Sequence, residues 1–173
     1  MSEKDVLCDL DTCSISKFSI QHKNVLARVV DIIDGDTLIL VFDFLGTYFK
    51  FTARLKGIDV SELHNTNDDL KKMSVIAKMR VLSLLVSDNN VASYGYLPND
   101  RKGIRSLCET HPLLVHVDCD GFDKYGRVLV NVRTLNQSID LSELLIKEKL
   151  AYAYSGATKK SSSEQAAYFS QKA

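Results

Sequence analysis

Long hydrophobic runs are missing from this sequence. No apolar stretch approaches the roughly 20 residues that a helix needs to cross a bilayer. The first residues, MSEKDVLCDLDTC, carry acids within their only apolar stretch, which is unlike a secretory signal. We therefore expect an intracellular protein that has no membrane partner.

Paired cysteines are missing as well. Cys8, Cys13, Cys108 and Cys119 form no Cys-x-x-Cys pair and do not have the spacing of zinc ligands. In a reducing compartment such cysteines are expected to be free thiols. The sequence therefore predicts no zinc site.

The chain also lacks an excess of either charge. Its 22 lysines and arginines balance 22 aspartates and glutamates. Proteins that bind polyanions non-specifically usually show a basic excess. Any interpretation as a nuclease must therefore depend on positive charge that is local to a cleft. At 173 residues and 45% hydrophobic content, the chain is expected to form one globular domain with some decoration.

The hydrophobic pattern predicts five strands. Branched and aromatic residues alternate in short runs that are separated by turn signals, among them the Asp34-Gly35-Asp36 and Leu45-Gly46 turns. The predicted strands span residues 25–33, 37–44, 47–58, 113–119 and 127–133. Residues 1–23 are polar and without clear periodicity, so we interpret them as an extension to a domain of residues 24–173.

Helices are predicted between and after these strands. An apolar stripe at spacings of three and four predicts a helix over about 68–86. Asp140 and Glu143 resemble a capping box at the start of a second helix, and the tail predicts one more short helix. Residues 87–112 contain both prolines and several turn signals, and are interpreted as an inserted loop with room for a short helix.

This order of elements predicts the fold class. Three strands, a helix, two strands and a helix suggest an OB-fold, a small barrel that often binds oligonucleotides. We expect an α+β protein, mainly β, with a five-stranded antiparallel barrel and two to three helices.

Two aspartates stand where predicted strands begin or end. Asp36 follows the first turn and Asp59 follows the third strand, so both are placed where loops collect ligands. A site made of carboxylates, a carbonyl and water suits calcium or magnesium rather than zinc. Taken alone, the Asp-Gly-Asp-Thr stretch is more typical of an ordinary hairpin turn.

Nearby residues add the groups that phosphate chemistry needs. Glu62 lies three residues after Asp59, close enough to orient or deprotonate a water molecule. Arg54 lies in the third strand and Arg127 opens the fifth. Two arginines that converge on one spot can hold a phosphate through paired hydrogen bonds. Either arginine alone would usually be an ordinary surface cation.

Four motifs together resemble the staphylococcal (micrococcal) nuclease family, also called thermonuclease-like. They are RVVDIIDGDTL, RLKGIDVSE, DKYGR and IDLSELLIKEKLAYAY, in that order along the chain. The resemblance covers about residues 25–155. It implies a calcium-dependent nuclease that hydrolyses phosphodiester bonds of single-stranded or melted DNA and RNA with low sequence specificity, leaving 3′-phosphate ends.

The resemblance also implies roles for the acidic residues. Asp36 and Asp59 match the carboxylates that hold calcium, and Val60 matches the position whose main-chain carbonyl contacts the ion. Glu62 matches the glutamate usually assigned as the general base. The family commonly has Thr-Pro between the aspartate and the glutamate, where this chain has Val60-Ser61.

The substrate-binding roles are carried over in the same way. Arg54 and Arg127 match the two arginines that bind the scissile phosphate, and both are expected to be catalytic. Lys124 and Tyr125 fall in the turn that contacts a neighbouring phosphate. Two tyrosines stand near the position of the tyrosine that packs by the base; they are Tyr152 and Tyr154.

Two other functions remain open from the sequence. The first is a catalytically inactive OB-type module that binds nucleic acid or another protein, which the neutral charge favours slightly. The second is a structural protein that calcium stabilises. The nuclease interpretation depends on the complete set of two arginines, two aspartates and a glutamate. We expect a monomer.

Overall fold

Five strands close into a barrel in the computed structural model, which describes residues 2–91 and 96–170. Neighbours follow the order β1-β2-β3-β6-β5, with β5 returning to β1. The barrel strands are β1 (Asn24–Asp34), β2 (Thr37–Phe44), β3 (Thr47–Leu55), β5 (Leu113–Phe122) and β6 (Val128–Thr134). Two short strands, β4 (Ile58–Asp59) and β7 (Tyr152–Ala153), pair with each other outside the barrel. The prediction of an OB-type barrel is confirmed.

One pairing differs from the prediction that all strands are antiparallel. β3 and β6 run parallel, with Ala53 opposite Val128 and Leu55 opposite Val130. Neighbours cannot all alternate in direction around a closed ring with an odd number of strands. Closing a five-stranded barrel therefore forces one parallel contact.

Alternation along the strands separates the core from the outer face. On β2 the side chains of Leu38, Leu40 and Phe42 are buried inside the barrel. On β3 Ala53 and Leu55 point inward in the same way, so the residues between them face outward. Arg54 lies on this outer face, directly opposite Thr37 at the start of β2.

The helices are more numerous than the two to three predicted. The described residues form α1 (Glu3–Cys8), α2 (Asp68–Asp88), α3 (Arg101–Thr110), α4 (Leu141–Lys147) and α5 (Ser162–Phe169). The predicted cap at Asp140 is confirmed, because its side chain accepts from the Glu143 N–H; Asn67 and Ser161 cap α2 and α5 in the same way. No helix in these ranges is long and apolar enough to cross a membrane.

The insertion and the N-terminal extension are both more ordered than the sequence suggested. Helix α3 occupies most of the second half of the 87–112 segment and packs on β1 through Ile104, Leu107 and Cys108; residues 92–95 of that segment lie outside the described residues. In the extension, α1 has no buried residue. Ile20, by contrast, is buried, so part of the predicted extension packs into the hydrophobic core.

The third strand is shorter than predicted. β3 ends at Leu55, and Gly57 has a φ of +80°, a conformation that favours glycine. The chain therefore turns before it forms β4. Because β4 pairs with β7, Asp59 lies opposite Tyr152.

Candidate active site

Arg54 joins the two predicted metal carboxylates. Its Nη1 lies 2.5 Å from Asp36 Oδ2, and its Nη2 lies 2.6 Å from Asp59 Oδ1. All three side chains are buried, with residue exposures of 5–6% for Asp36 and Arg54 and 1% for Asp59. A guanidinium with two planar edges suits this arrangement: its Nη2 donates to Asp59 Oδ1, and its Nη1 forms an ion pair with Asp36.

The Asp34-Gly35-Asp36 turn, which contains the predicted metal ligand Asp36, packs against helix α2 through Gly35. A Cβ atom added to Gly35 would lie 2.7 Å from the Ala77 Cβ, a distance that packed carbons do not adopt. The glycine is therefore needed for close approach and not for a positive φ. The Thr37 hydroxyl donates to Asp36 Oδ1 at 2.8 Å, and the Val60 N–H donates to Asp36 Oδ2 at 3.3 Å.

Asp59 is held by the small β4–β7 sheet. The Tyr152 hydroxyl donates to Asp59 Oδ2 at 2.5 Å. Burial, followed by this hydrogen bond, raises the pKa of Tyr152 well above its usual value, so the hydroxyl keeps its proton and remains a donor. Tyr152 is itself buried, in a small cluster with Leu70 and Phe169. It therefore positions Asp59 and does not present its ring to a base.

Lys159, in the loop before α5, forms ion pairs with Asp59 and Glu62. Its Nζ lies 3.2 Å from Asp59 Oδ1 and 3.0 Å from Glu62 Oε1. Burial alone would lower the pKa of Lys159, but the bond to Glu62 and the charge of Asp59 outweigh it and the pKa is raised. The Glu62 side chain is 66% exposed. The predicted base is thus open to solvent and tethered to a lysine that the sequence did not single out.

Burial is the largest influence on the pKa values of two carboxyl groups in the Asp34-Gly35-Asp36 turn. It raises the pKa of Asp36, although Arg54 and the Thr37 hydroxyl oppose the shift. It also raises the pKa of Asp34, with Lys78 opposing. Asp34 was not predicted to take part in the site. Its position in the turn was visible in the sequence, but its burial was not.

A cleft of about 910 Å³ opens beside this cluster. Its walls come from the end of β3, the turn between β5 and β6, and the segment after β7. Arg54 and Arg127 both line it, as do Lys124, Tyr125 and Tyr154. The structure therefore brings together at one cleft both predicted arginines and three of the four predicted substrate-binding residues.

The turn between β5 and β6 positions Arg127 through hydrogen bonds to Asp123. Arg127 Nε donates to Asp123 Oδ2 at 2.7 Å, and the Arg127 backbone N–H donates to Asp123 Oδ1 at 2.9 Å. The Tyr125 ring is 73% exposed and lies under two cations, with the Lys124 Nζ at 5.0 Å and the Arg127 Cζ at 5.6 Å from its centroid. This end of the cleft is suited to binding anions. Asp123 is a positioning residue that sequence reasoning missed.

A further cation, Lys56, takes part in an ion pair at the edge of the cleft. Its Nζ lies 2.7 Å from Asp120 Oδ2. The lysine also lines the cleft. Because Asp120 offsets the charge of Lys56, this lysine adds little net positive charge to the cleft.

The carboxylate cluster fits a hard cation in its chemistry. Asp36 and Asp59 offer only oxygen atoms, and both already attract positive groups, Arg54 and Lys159. Within residues 2–91 and 96–170, no three His, Cys, Asp or Glu side chains lie close enough to hold an ion together. The remaining ligands would have to be carbonyl oxygens and water. The Ser61 hydroxyl, next to Val60 in the chain, is buried and has no hydrogen-bond partner among the described residues.

The barrel, with acids and arginines beside a cleft, defines an OB-fold protein. The chain belongs to the staphylococcal nuclease homologue family, whose model matches residues 52–173. This is a family of nucleases that act on nucleic acids. The match includes Arg54, Asp59, Glu62 and Arg127, while Asp36 joins them through its contact with Arg54. A comparison with curated proteins finds no match to the chain.

Proposed function

We propose that this protein is a calcium-dependent nuclease that hydrolyses phosphodiester bonds of DNA and RNA with low sequence specificity and leaves 3′-phosphate ends. One observation carries the proposal: Arg54 touches both Asp36 and Asp59 while also lining the cleft that contains Arg127. A phosphate bound there would be next to the acidic cluster.

The proposed roles follow from charge and reach. Arg54 and Arg127 bind the scissile phosphate and stabilise the negative charge that develops on its oxygens. Glu62, which is exposed and not fixed by packing, takes the proton from the attacking water. Asp36, Asp59 and the Val60 carbonyl would hold calcium, which supplies Lewis acidity to the phosphate.

Substrate contacts outside the phosphate are expected to be general. Tyr125 and Lys124 lie exposed at one side of the cleft, where a ring face and an ammonium can meet a base and a neighbouring phosphate. Tyr154 lines the cleft in the segment that follows β7. It is therefore better placed than the buried Tyr152 to contact a base. Such contacts read no base edges, so sequence preference should be low.

A second function is favoured by one observation. Lys159 already neutralises Asp59 and Glu62, and the oxygens of Asp36 and Asp59 already accept hydrogen bonds or ion pairs. A site satisfied in this way is compatible with an inactive OB-type module that binds single-stranded nucleic acid. Such a module would not need Glu62.

The two functions are separated by a cleavage assay. Single-stranded DNA and RNA are incubated with calcium, with magnesium or with a chelator, and the product ends are analysed. For a nuclease we expect 3′-phosphate products with calcium and a loss of rate of roughly 10²- to 10⁴-fold in Glu62→Gln. Glu143→Gln, an exposed glutamate on α4, is the matched control. Tight metal-free binding without cleavage, unchanged in Glu62→Gln, would favour the inactive module.

A further inference from the structure

A second groove lies on the outer face of the barrel, between β3 and the inserted helix α3. It has a volume of about 370 Å³. Ile39 of β2 forms part of its floor, Lys50 of β3 lines one side, and Arg101 and Arg105 of α3 line the other. None of the predicted site residues belongs to it. The sequence left the purpose of the insertion open.

The basic face of α3 is separated from its apolar face. Ile104, Leu107 and Cys108 are buried against β1, whereas the Arg101 and Arg105 side chains are 58% and 63% exposed. The helix thus uses one side to dock and presents the other as a charged surface. In a chain with no net charge, such local concentration of cations is the feature that a polyanion would recognise.

A buried carboxylate holds one of these arginines in place. Arg101 Nε lies 2.8 Å from Asp31 Oδ2, and Asp31 is only 3% exposed. Arg105 Nε lies 4.0 Å from the same oxygen. Asp31 fixes the Arg101 guanidinium at the groove and uses only its Nε–H. One exposed acid, Glu109, also lines the groove and lies 3.9 Å from Arg28.

Strand β3 connects this groove to the proposed active site. Lys50, Thr52 and Arg54 lie opposite Val41, Ile39 and Thr37 of β2, so all three point to the outer face. Four residues of extended strand place the Lys50 and Arg54 Cα atoms about 13 Å apart. The groove residue Lys50 and the active-site residue Arg54 therefore lie on the same face of one strand.

We propose that the groove between α3 and β3 is a second binding site for the phosphate backbone of single-stranded nucleic acid, remote from the bond that is cleaved. Lys50 and Arg105 contact the backbone, and Arg101 is pre-oriented for it by Asp31. The proposal rests on the proposed nuclease function for its substrate, because it extends the same strand beyond the cleft. It gives the insertion a role in holding long substrates.

The test compares a long with a short oligonucleotide. Binding of a 12-nucleotide strand, within the range of about 4–16 nucleotides that OB-type sites cover, and of a trinucleotide is measured by fluorescence anisotropy with a chelator across a salt series. The Lys50→Ala/Arg105→Ala double variant removes two cations that are both exposed. Lys72→Ala/Lys147→Ala removes the same charge from helices α2 and α4, away from the groove, and is the matched control. Melting curves verify that all three proteins are folded.

The expected result is a weaker salt dependence for the long strand alone. Each lost phosphate contact reduces the slope of log K against log salt by about 0.7, so the double variant should lose about 1.4. At 0.1 M salt this is about a 25-fold loss of affinity, relative to binding at 1 M. The trinucleotide and the control variant should show no such change.

Three results would refute the proposal that the groove binds nucleic acid. They are a double variant that binds like the control, an equal loss of affinity for both oligonucleotides, and a parent protein that does not bind the long strand. Cleavage by the parent is measured separately with calcium. If the parent cleaves and the double variant binds like the control, only the groove is refuted. If the parent fails to cleave but shows the expected slopes, the groove stands and the nuclease function fails.

Discussion

Replacing Arg54 by methionine tests the core of the site. Methionine has a similar length but no charge, so the substitution leaves the buried carboxylates of Asp36 and Asp59 without their shared cation. Breaking a buried ion pair by removal of one partner costs about 3–5 kcal/mol. For a domain of this size, each kcal/mol lowers the melting temperature by about 2–4 °C. We therefore expect Arg54→Met to melt about 6–20 °C below the parent in a chelator.

Calcium should reverse much of this loss. An ion that binds the folded state at 100 times its dissociation constant stabilises it by about 2.7 kcal/mol. In Arg54→Met the guanidinium no longer competes for Asp36 and Asp59, so calcium should raise the melting temperature more than it does in the parent. This result would place the ion between the two aspartates without relying on activity.

The loss of stability caused by Arg54→Met should also depend on pH. Burial raises the pKa of Asp36, so the folded state binds a proton more readily than the unfolded state does. A group of this kind favours folding more as the pH falls through its raised folded pKa. Without Arg54 that pKa rises further, so the destabilisation of Arg54→Met should shrink between neutral and acidic pH.

The assay is thermal unfolding followed by circular dichroism at several pH values, with and without calcium. Arg127→Met is the matched control, because its partner Asp123 lies in a partly exposed pair. Such pairs contribute about 0.2–1 kcal/mol, so this control should lose less than about 4 °C. If Arg54→Met melted like Arg127→Met in the chelator, the central role of the guanidinium would be refuted.

Three further predictions test other contacts. Lys159→Met should bind calcium several-fold more tightly in titration calorimetry, because its ammonium lies 3.2 Å from Asp59, whereas Lys160→Met should not; equal affinities would contradict the competition. Gly35→Ala should lower the free energy of unfolding by about 1–3 kcal/mol in urea, because its Cβ would lie 2.7 Å from that of Ala77. Combining it with Ala77→Gly should cost less than the sum of the two, and strict additivity would argue against the clash. Cys108, whose pKa burial raises to about 11, should not react with a thiol reagent at neutral pH until the protein unfolds, in contrast to the exposed cysteines; rapid labelling of all four would refute its burial.

Local pattern was enough to predict most elements of the fold. Alternation, turn signals and caps predicted the five barrel strands, α2 and the start of α4, because these features depend on neighbours within a few residues. The parallel β3–β6 contact depends on closure of the ring, which no single segment encodes. The burial of Ile20, within the predicted extension, needs the assembled core.

The site divides in the same way. The sequence by itself determined which chemical groups are present, since Arg54, Asp59 and Glu62 fall within nine residues and Arg127 ends a turn motif. Only the tertiary structure decided which of these groups touch. It buried Arg54 between two aspartates, brought Tyr152 across from β7 and placed Lys159 on Glu62. Asp59 meets Tyr152, and Glu62 meets Lys159, only in the folded chain, because these contacts join segments that are distant in sequence and do not depend on local propensity.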